Sequence, residues 1–518
     1  MVAGGVVANS GSDEYRTLRN NTNKRWVKDK GLRRLNIGIG FMFSSAAANG
    51  FDGSLMNGLL ALPQFTKNLG DVSANILGLI LAGISLGGTP TFIPASYFAD
   101  YYGRRTCVGI GSLIMVCGAI AQAATHGRWA FFGTRIMMGV GLGFAQTAAP
   151  PLTTEVAHPR HRGAVTTIFQ AIYYWGAIVS AAVILGTLHV YNSWSWRVPC
   201  LLQALFPGIQ LLGLAIIPES PRWLVSQGRS DEALHILARY HANGDVDDCL
   251  VQFEFNEICA AIEIDKALAS KNDWISFVST AGARRRLAIC ILVGFMIQWA
   301  GTVRIVSYYL APILADPTQQ AAINLGLQIW NAIWAACGAI AAEKYGRRPL
   351  WMISTVLMLI FFVIITALSA IFAEKHIKGA GSAVVAFLFL FFGSYDIAYT
   401  PLSIACPVEI LPFYLRAKGL SLNLTVVFAT GFFNQYVNPI ALSSIAWNAW
   451  KFYFVYVGCL FSFIFIIYFL FPETKGRTLE EIAIVFDGAQ AEIDKHLAAL
   501  GGTHMRTNEF KPEFEQIA

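Results

Sequence analysis

Charge is what this chain has least of. Of its 518 residues only 14% are Asp, Glu, Lys or Arg and 55% are apolar, where soluble proteins carry about 25% charged residues. So little charge excludes an ordinary soluble domain. One core could not bury that much apolar surface, so lipid must solvate much of it. Its nine cysteines form no CxxC pair and no secreted-type spacing. Cys107, Cys117, Cys290, Cys337 and Cys459 fall inside apolar runs, where a free thiol is ordinarily a small core residue. That argues against a disulfide framework and against a metal site. There is no phosphate loop and no His, Cys or Ser constellation, and the nine histidines lie scattered, mostly in loops. An enzyme reading has no residues to carry it, and no cofactor is expected. The formal charge of +6 is concentrated in particular loops, so it reports orientation and not nucleic-acid binding. Met1 to Lys30 lacks the apolar stretch of a cleavable signal, which leaves the first apolar span as its own membrane signal.

What the chain does have is apolar runs, twelve of them, each long enough at about 20 residues to cross the hydrocarbon core as a helix. They fall near 35–60, 74–98, 106–125, 129–152, 164–188, 197–217, 286–312, 320–342, 349–373, 383–407, 418–442 and 449–471. Helices, not open strands, satisfy the backbone in lipid, so an all-α membrane protein is expected. The loops after spans 2, 4, 8 and 10 hold Arg104, Arg105, Arg160, Arg162, Lys344, Arg347, Arg348, Arg416 and Lys418. The opposite loops are poorer in such residues, which places the basic loops and both termini in the cytosol. The expected organisation is a cytosolic tail (1–34), a six-helix bundle (35–217), a cytosolic helical linker (218–285), a second bundle (286–471) and a cytosolic tail (472–518). The linker carries amphipathic helical spacing, and reads as a lever or latch.

The two bundles repeat one another at a distance of roughly 250 residues. Asp100-Tyr-Tyr-Gly103-Arg104-Arg105 returns as Glu343-Lys-Tyr-Gly346-Arg347-Arg348. Glu155 and Arg162 return as Glu409 and Arg416, and Pro218-Glu219-Ser220-Pro221-Arg222 as Pro472-Glu473-Thr474-Lys475-Gly476-Arg477. Two repeated hydrophobic halves point to a carrier that rocks about a central site. Arginines at helix ends can bond free carbonyls and pair with carboxylates, so the repeats read as inter-helix latches that hold the cytosolic face shut. Orientation alone would explain single arginines, but not carboxylates at matched spacing in both halves.

These motifs, with Arg135 and Pro218-Glu-Ser-Pro-Arg-Trp223, resemble the sugar-porter family of the major facilitator superfamily over residues 35 to 485. Gly50-Phe-Asp-Gly-Ser-Leu-Met-Asn57-Gly58, Gln298-Trp299 and Asn434-Gln435-Tyr436-Val437-Asn438-Pro439 are most similar to its fungal lactose-permease-like branch. The resemblance implies two pseudo-symmetric six-helix bundles around one midplane site, used by alternating access. It further implies a plasma-membrane protein that works as a monomer on a sugar or related polyol or glycoside, with protons and the lipid bilayer as its other partners.

Ionisable residues at membrane depth are costly and read as functional. Asp52 in span 1 and Arg135 in span 4 both reach the outer half of the bilayer at about 1.5 Å per residue. Arg304 in span 7 and Asp396 in span 10 hold corresponding places with the signs exchanged. The resemblance implies that Asp52 and Arg135 couple protons to transport. A permanent ion pair, in a passive facilitator, is the alternative.

A site for neutral polyols needs amides and carboxylates for hydroxyls and aromatic faces for C–H surfaces. The resemblance implies substrate contacts at Gln170, Gln298, Asn331 and Asp396, with Asn57 as a lining residue and Tyr308 as an outer gate. Trp299 and Arg304 stand where the family carries Gln and Asn, Ile404 replaces an aromatic, and Val427 an Asn. The second half of the site is thus rebuilt. Arg304 facing Asp396 would withdraw the acid from sugar binding or recruit a charged ligand, so a larger, glycosylated or acidic substrate stays open. The expected function is proton-coupled import of a mono- or disaccharide, against export of a small secondary metabolite, passive facilitation, or non-transporting nutrient sensing.

Overall fold

The computed structural model describes residues 20–23, 26–70, 72–268, 274–301, 316–375, 377–411, 415–443, 449–475 and 485–486. Among them there are helices and no strand. Span 1 is built from α1 (Lys30–Met42) and α2 (Ser44–Leu59), and a short α3 (Pro63–Leu69) follows it. Span 2 comprises α4 (Ala74–Gly88) and α5 (Phe92–Tyr102), followed by α6 (Arg104–Ala124), α7 (Arg128–Val156) and α8 (Arg162–Thr187) as spans 3 to 5. Span 6 is α9 (Trp194–Leu202) with α10 (Leu205–Gly213). The linker holds α11 (Pro221–Ser226), α12 (Ser230–His241) and α13 (Cys249–Leu268). Spans 7 to 12 are α14 (Ala281–Trp299), α15 (Pro317–Tyr345), α16 (Arg347–Lys375), α17 (Lys378–Ile410), α18 (Arg416–Ser443) and α19 (Tyr453–Leu470). Span 1 begins earlier than its apolar run, at Lys30, because Asp29 caps it by accepting the Leu32 N–H at 3.0 Å.

The helix breaks have local causes. In span 2, Pro90 removes a backbone donor between α4 and α5. The Thr89 and Thr91 hydroxyls cover the Ser85 and Gly87 carbonyls on either side, each at 2.7 Å, which is how membrane helices tolerate proline.

Composition sorts the spans by position. Six helical segments are individually long and apolar enough to cross a bilayer, in spans 2, 3, 8, 9, 10 and 12. Spans 3, 9 and 12 are the most apolar of these, and with span 6 they contribute nothing to the central cavity. Leu113, Ile120, Ile353, Ile360, Phe461, Phe465 and Phe469 on them are exposed, as a lipid-facing surface requires. Spans 1, 4, 5, 7 and 11 instead give polar residues to the cavity, among them Asp52, Asn57, Gln146, Tyr174, Gln298 and Gln435. Between the halves, span 2 packs on span 11, with Phe92 edge-on to Phe428 at 4.7 Å.

Candidate functional site

The repeated loop motifs form two matching devices on one face of the molecule. Gly103 opens α6 with φ +99° and Gly346 opens α16 with φ +98°. Each glycine lets a carboxylate approach the exposed helix end. Glu219 accepts the N–H groups of Arg104 and Arg105 at 3.1 Å. Glu473 accepts those of Arg347 and Arg348 at 3.0 and 3.1 Å. These two acids are therefore helix caps, which engage the loop motifs through backbone N–H groups. Burial raises the pKa of Glu219, with the capped N–H groups and Arg104 opposing.

The arginine side chains pair inside each device. Arg104 meets Glu155 at 3.3 Å and Asp100 at 3.2 Å, and the Ser220 hydroxyl donates to Glu155. Arg347 meets Glu409 at 2.9 Å, and the Thr474 hydroxyl donates to Glu409. Arg348 bonds the Tyr468 carbonyl at 2.6 Å, while Arg105 is exposed. Each of these pairs joins helices of one half. They are inter-helix contacts, and they brace each bundle internally. The side chains of Glu343 and Arg416 lie outside the described residues.

A third contact ties the linker to span 5. Arg162 pairs with Glu254 of α13 at 2.9 Å, and His241 of α12 bonds the other Glu254 oxygen at 2.8 Å. Burial opposes the charge on Glu254, but His241, Arg162 and the buried Arg222 outweigh it and hold the pKa below the usual range. His158 sits beneath, its ring centroid 5.1 Å from His241 and 5.7 Å from His161. Its Nδ1 accepts the Arg160 N–H at 3.2 Å and its Nε2 is buried without a partner among the described residues. Burial first, then the neighbouring histidines and arginines, pushes its pKa down to about 2. Sequence reasoning missed Glu254, His158 and His241; nothing local marks Glu254 or His241 as a docking residue, since they meet Arg162 and the Val156 carbonyl on other elements.

Deep in the first half, Arg135 Nη1 meets Asp52 Oδ1 at 3.0 Å, and Gln203 of span 6 donates to the same oxygen at 2.7 Å. Arg135 is fully buried and Asp52 is 7% exposed, bordering the cavity. The expected pair is present, with an amide as third member.

The cavity, about 380 Å³, lies between the halves and is lined from spans 1, 2, 4, 5, 7, 8, 10 and 11. That volume suits a small ligand. Asn57, Gln298, Asn331 and Asp396 all border it. Asp396 is fully buried. Tyr174 of span 5 and Thr400 donate to its Oδ1, Thr400 at 2.7 Å. The Asn331 amide, oriented to suit both neighbours, donates to Asp396 Oδ2 at 3.2 Å and to the Leu327 carbonyl at 3.1 Å. Asn57 Oδ1 and Gln435 Oε1 are buried acceptors with no partner among the described residues, and both residues border the cavity. Ile404 and Val427 line it too.

Trp299 is not part of the lining. Its indole N–H bonds the Thr430 carbonyl at 3.3 Å and its ring stacks on Phe295 at 5.4 Å. One helical residue turns a side chain by about 100°, so with Gln298 facing the cavity its neighbour faces the bundle. Arg304 and Tyr308 lie outside the described residues, as does the Gln170 side chain. The opposition of Arg304 to Asp396 therefore falls there too; the described partners of Asp396 are uncharged. Sequence reasoning missed Tyr174, Asn324 and Gln328. Asn324, Gln328 and Asn331 repeat at helical spacing along one face of span 8, a signal that was available.

A family model described as sugar (and other) transporter matches residues 39–486. The MFS-type transporter criB of Aspergillus cristatus is 28% identical over 457 residues, covering 87% of this chain and 92% of that protein. Hexose transporter 2 of Kluyveromyces lactis is 29% identical over 469 residues, covering 86% and 80%. The xylose transporter XylE from E. coli, in a partially occluded inward open conformation, aligns with TM-score 0.72 at 18% identity, over 86% of this chain and 100% of that one. This likeness shows the fold: two six-helix bundles of the major facilitator kind.

Proposed function

This chain belongs to the sugar (and other) transporter family, and on that premise we propose that it carries a mono- or disaccharide across the plasma membrane by alternating access, as a proton symporter. The observation that carries the reading is the amide- and carboxylate-lined cavity between the halves, with the Asp52–Arg135 pair at its edge. Neutral polyols need such donors and acceptors, and Asn57 and Gln435 present two unengaged ones. An aspartate facing arginine holds a proton only when the pair is broken, because the cation favours the ionised form. Both residues belong to the first half, so it is a shift of span 1 against span 4 during the transport cycle that would separate Asp52 from Arg135 and link proton uptake to substrate movement. In this reading the motif face, both tails and the linker are cytosolic, and a single chain suffices.

The test is uptake of radiolabelled glucose, lactose, cellobiose and xylose in a transporter-null yeast, with and without a protonophore. At least one sugar should accumulate, and the protonophore or Asp52→Asn should reduce accumulation tenfold or more. No uptake of any of them would end the import reading. Uptake indifferent to protonophore and to Asp52→Asn would leave a facilitator. A second reading, export of a less polar metabolite, draws on Ile404 and Val427 in the cavity wall; it predicts no sugar uptake and product retention on deletion.

A further inference from the structure

We propose that Tyr174 and Asp396 form a clasp between the two halves which substrate must displace, a hydroxyl of the substrate taking the place of the tyrosine hydroxyl on the carboxylate. The inference rests on the sugar-carrier reading and concerns how loading is tied to movement.

The geometry begins with where the two groups sit. Tyr174 belongs to span 5 in the first half, and Asp396 and Thr400 to span 10 in the second. Tyr174 lies twelve residues from the start of α8 and Asp396 fourteen from the end of α17. At about 1.5 Å per residue both are near mid-depth. The phenol donates to Asp396 Oδ1 and lies 3.1 Å from the Thr400 hydroxyl. Tyr174 cannot simply follow Asp396 when the halves part, because span 5 is pressed against span 1. A Cβ on Gly50 would lie 1.8 Å from the Tyr173 carbonyl oxygen, and one on Gly176 would lie 1.9 Å from that of Ala47. Backbones this close move together, so the tyrosine travels with the first half. Thr400 and Asn331 travel with Asp396 in the second.

The chemistry follows from that division. Parting the halves takes one donor from a fully buried carboxylate and leaves two. Losing a partner on a buried charged group is costly, so the empty carrier resists moving at this point. A polyol hydroxyl is a donor of the same kind as the phenol. A sugar that reaches Asp396 replaces the lost bond before the halves separate. The loaded carrier therefore changes conformation more readily than the empty one.

The phenol can be removed while its ring is kept, by Tyr174→Phe. The first measurement needs no sugar: a cysteine placed at Ser403, on the cavity wall, is alkylated in the empty carrier and its labelling followed by mass spectrometry. Tyr174→Phe should change the labelling rate threefold or more, as the halves part more freely; an unchanged rate overturns the clasp. The second compares sugar exchange with net flux. The unmodified carrier should exchange several-fold faster than it runs net, and Tyr174→Phe should bring the ratio towards one. An unmodified ratio of one, or a variant that only raises KM, overturns the proposal. Should the phenylalanine variant fail to fold, Asp396→Ala, which removes the acceptor of the phenol, must move labelling in the same direction. Absence of any sugar flux in the unmodified chain would sink the sugar reading, while the alkylation result still decides the clasp.

Discussion

Gly103 and Gly346 occupy a backbone region, φ near +100° with extended ψ, that only glycine enters without strain. Each also stands where a Cβ would meet its capping acid, at 2.5 Å from Glu219 Oε2 and 2.8 Å from Glu473 Oε2. Alanine at either position would add strain of about 1–3 kcal/mol and push away a cap worth about 1 kcal/mol. Gly103→Ala and Gly346→Ala should therefore each lower the melting temperature of the purified carrier. Because the glycine and the acid act together, Gly103→Ala combined with Glu219→Ala should cost less than the sum of the two. A Gly103→Ala variant as stable as its parent would refute the capping account. The repeat of Gly-Arg-Arg with Pro-Glu-Ser/Thr is plain in the sequence, but its use is not. Spacing sets an acid near the arginines, and it takes the folded chain to aim backbone N–H groups at that acid.

At the scale of elements, the linker is held to the first half through a histidine that must stay neutral. His158 is faced by His161, Arg160 and Arg162 from its own segment and by His241 from the linker, and His241 in turn bonds Glu254. Its pKa is pushed down to about 2 in the closed contact, while an exposed histidine titrates near 6.5. The released linker thus binds the extra proton and the docked one does not. Docking is at full strength above about pH 6.5 and weakens as pH falls below it, by about 1.4 kcal/mol per unit. Glu254, whose pKa is lowered, loses its contribution only in the more acidic carboxylate range. Hydrogen exchange in α11 to α13, corrected for intrinsic rate, should speed up severalfold between about pH 7.5 and 5.5. His158→Asn, which can still accept the Arg160 N–H, should flatten that response; a flat profile in the unmodified protein would refute it. The linker's helical character could be read from amphipathic spacing. Its docking could not, because His241 and Glu254 meet partners on spans 4 and 5 that no spacing rule connects to them.

For the whole molecule, the question is which contacts decide between its states. Cavity residues such as Asn331 and Asp396 could be placed by counting from the loop motifs, because the helical repeat carries register across a span. Contacts between the halves could not, since Tyr174 and Asp396 are 222 residues apart. The coordinates divide the two sets of contacts cleanly. Arg347 with Glu409 lies within the second half, whereas Phe92 with Phe428 crosses between halves. A contact inside a rigid body stabilises all its arrangements alike, and only one that differs between states can shift their populations. Arg347→Ala should therefore lower stability, by about 1–3 kcal/mol given that the pair is partly exposed, and leave the conformational balance unchanged within twofold. Phe92→Ala removes packing present in this arrangement and should move the population away from it, tenfold for each 1.4 kcal/mol of differential loss. Distances between spin labels on the two halves, measured in detergent or nanodiscs, separate the cases. A distance distribution altered as much by Arg347→Ala as by Phe92→Ala would mean that the arginine devices do span the two states, and that bracing within each half is the wrong description of them.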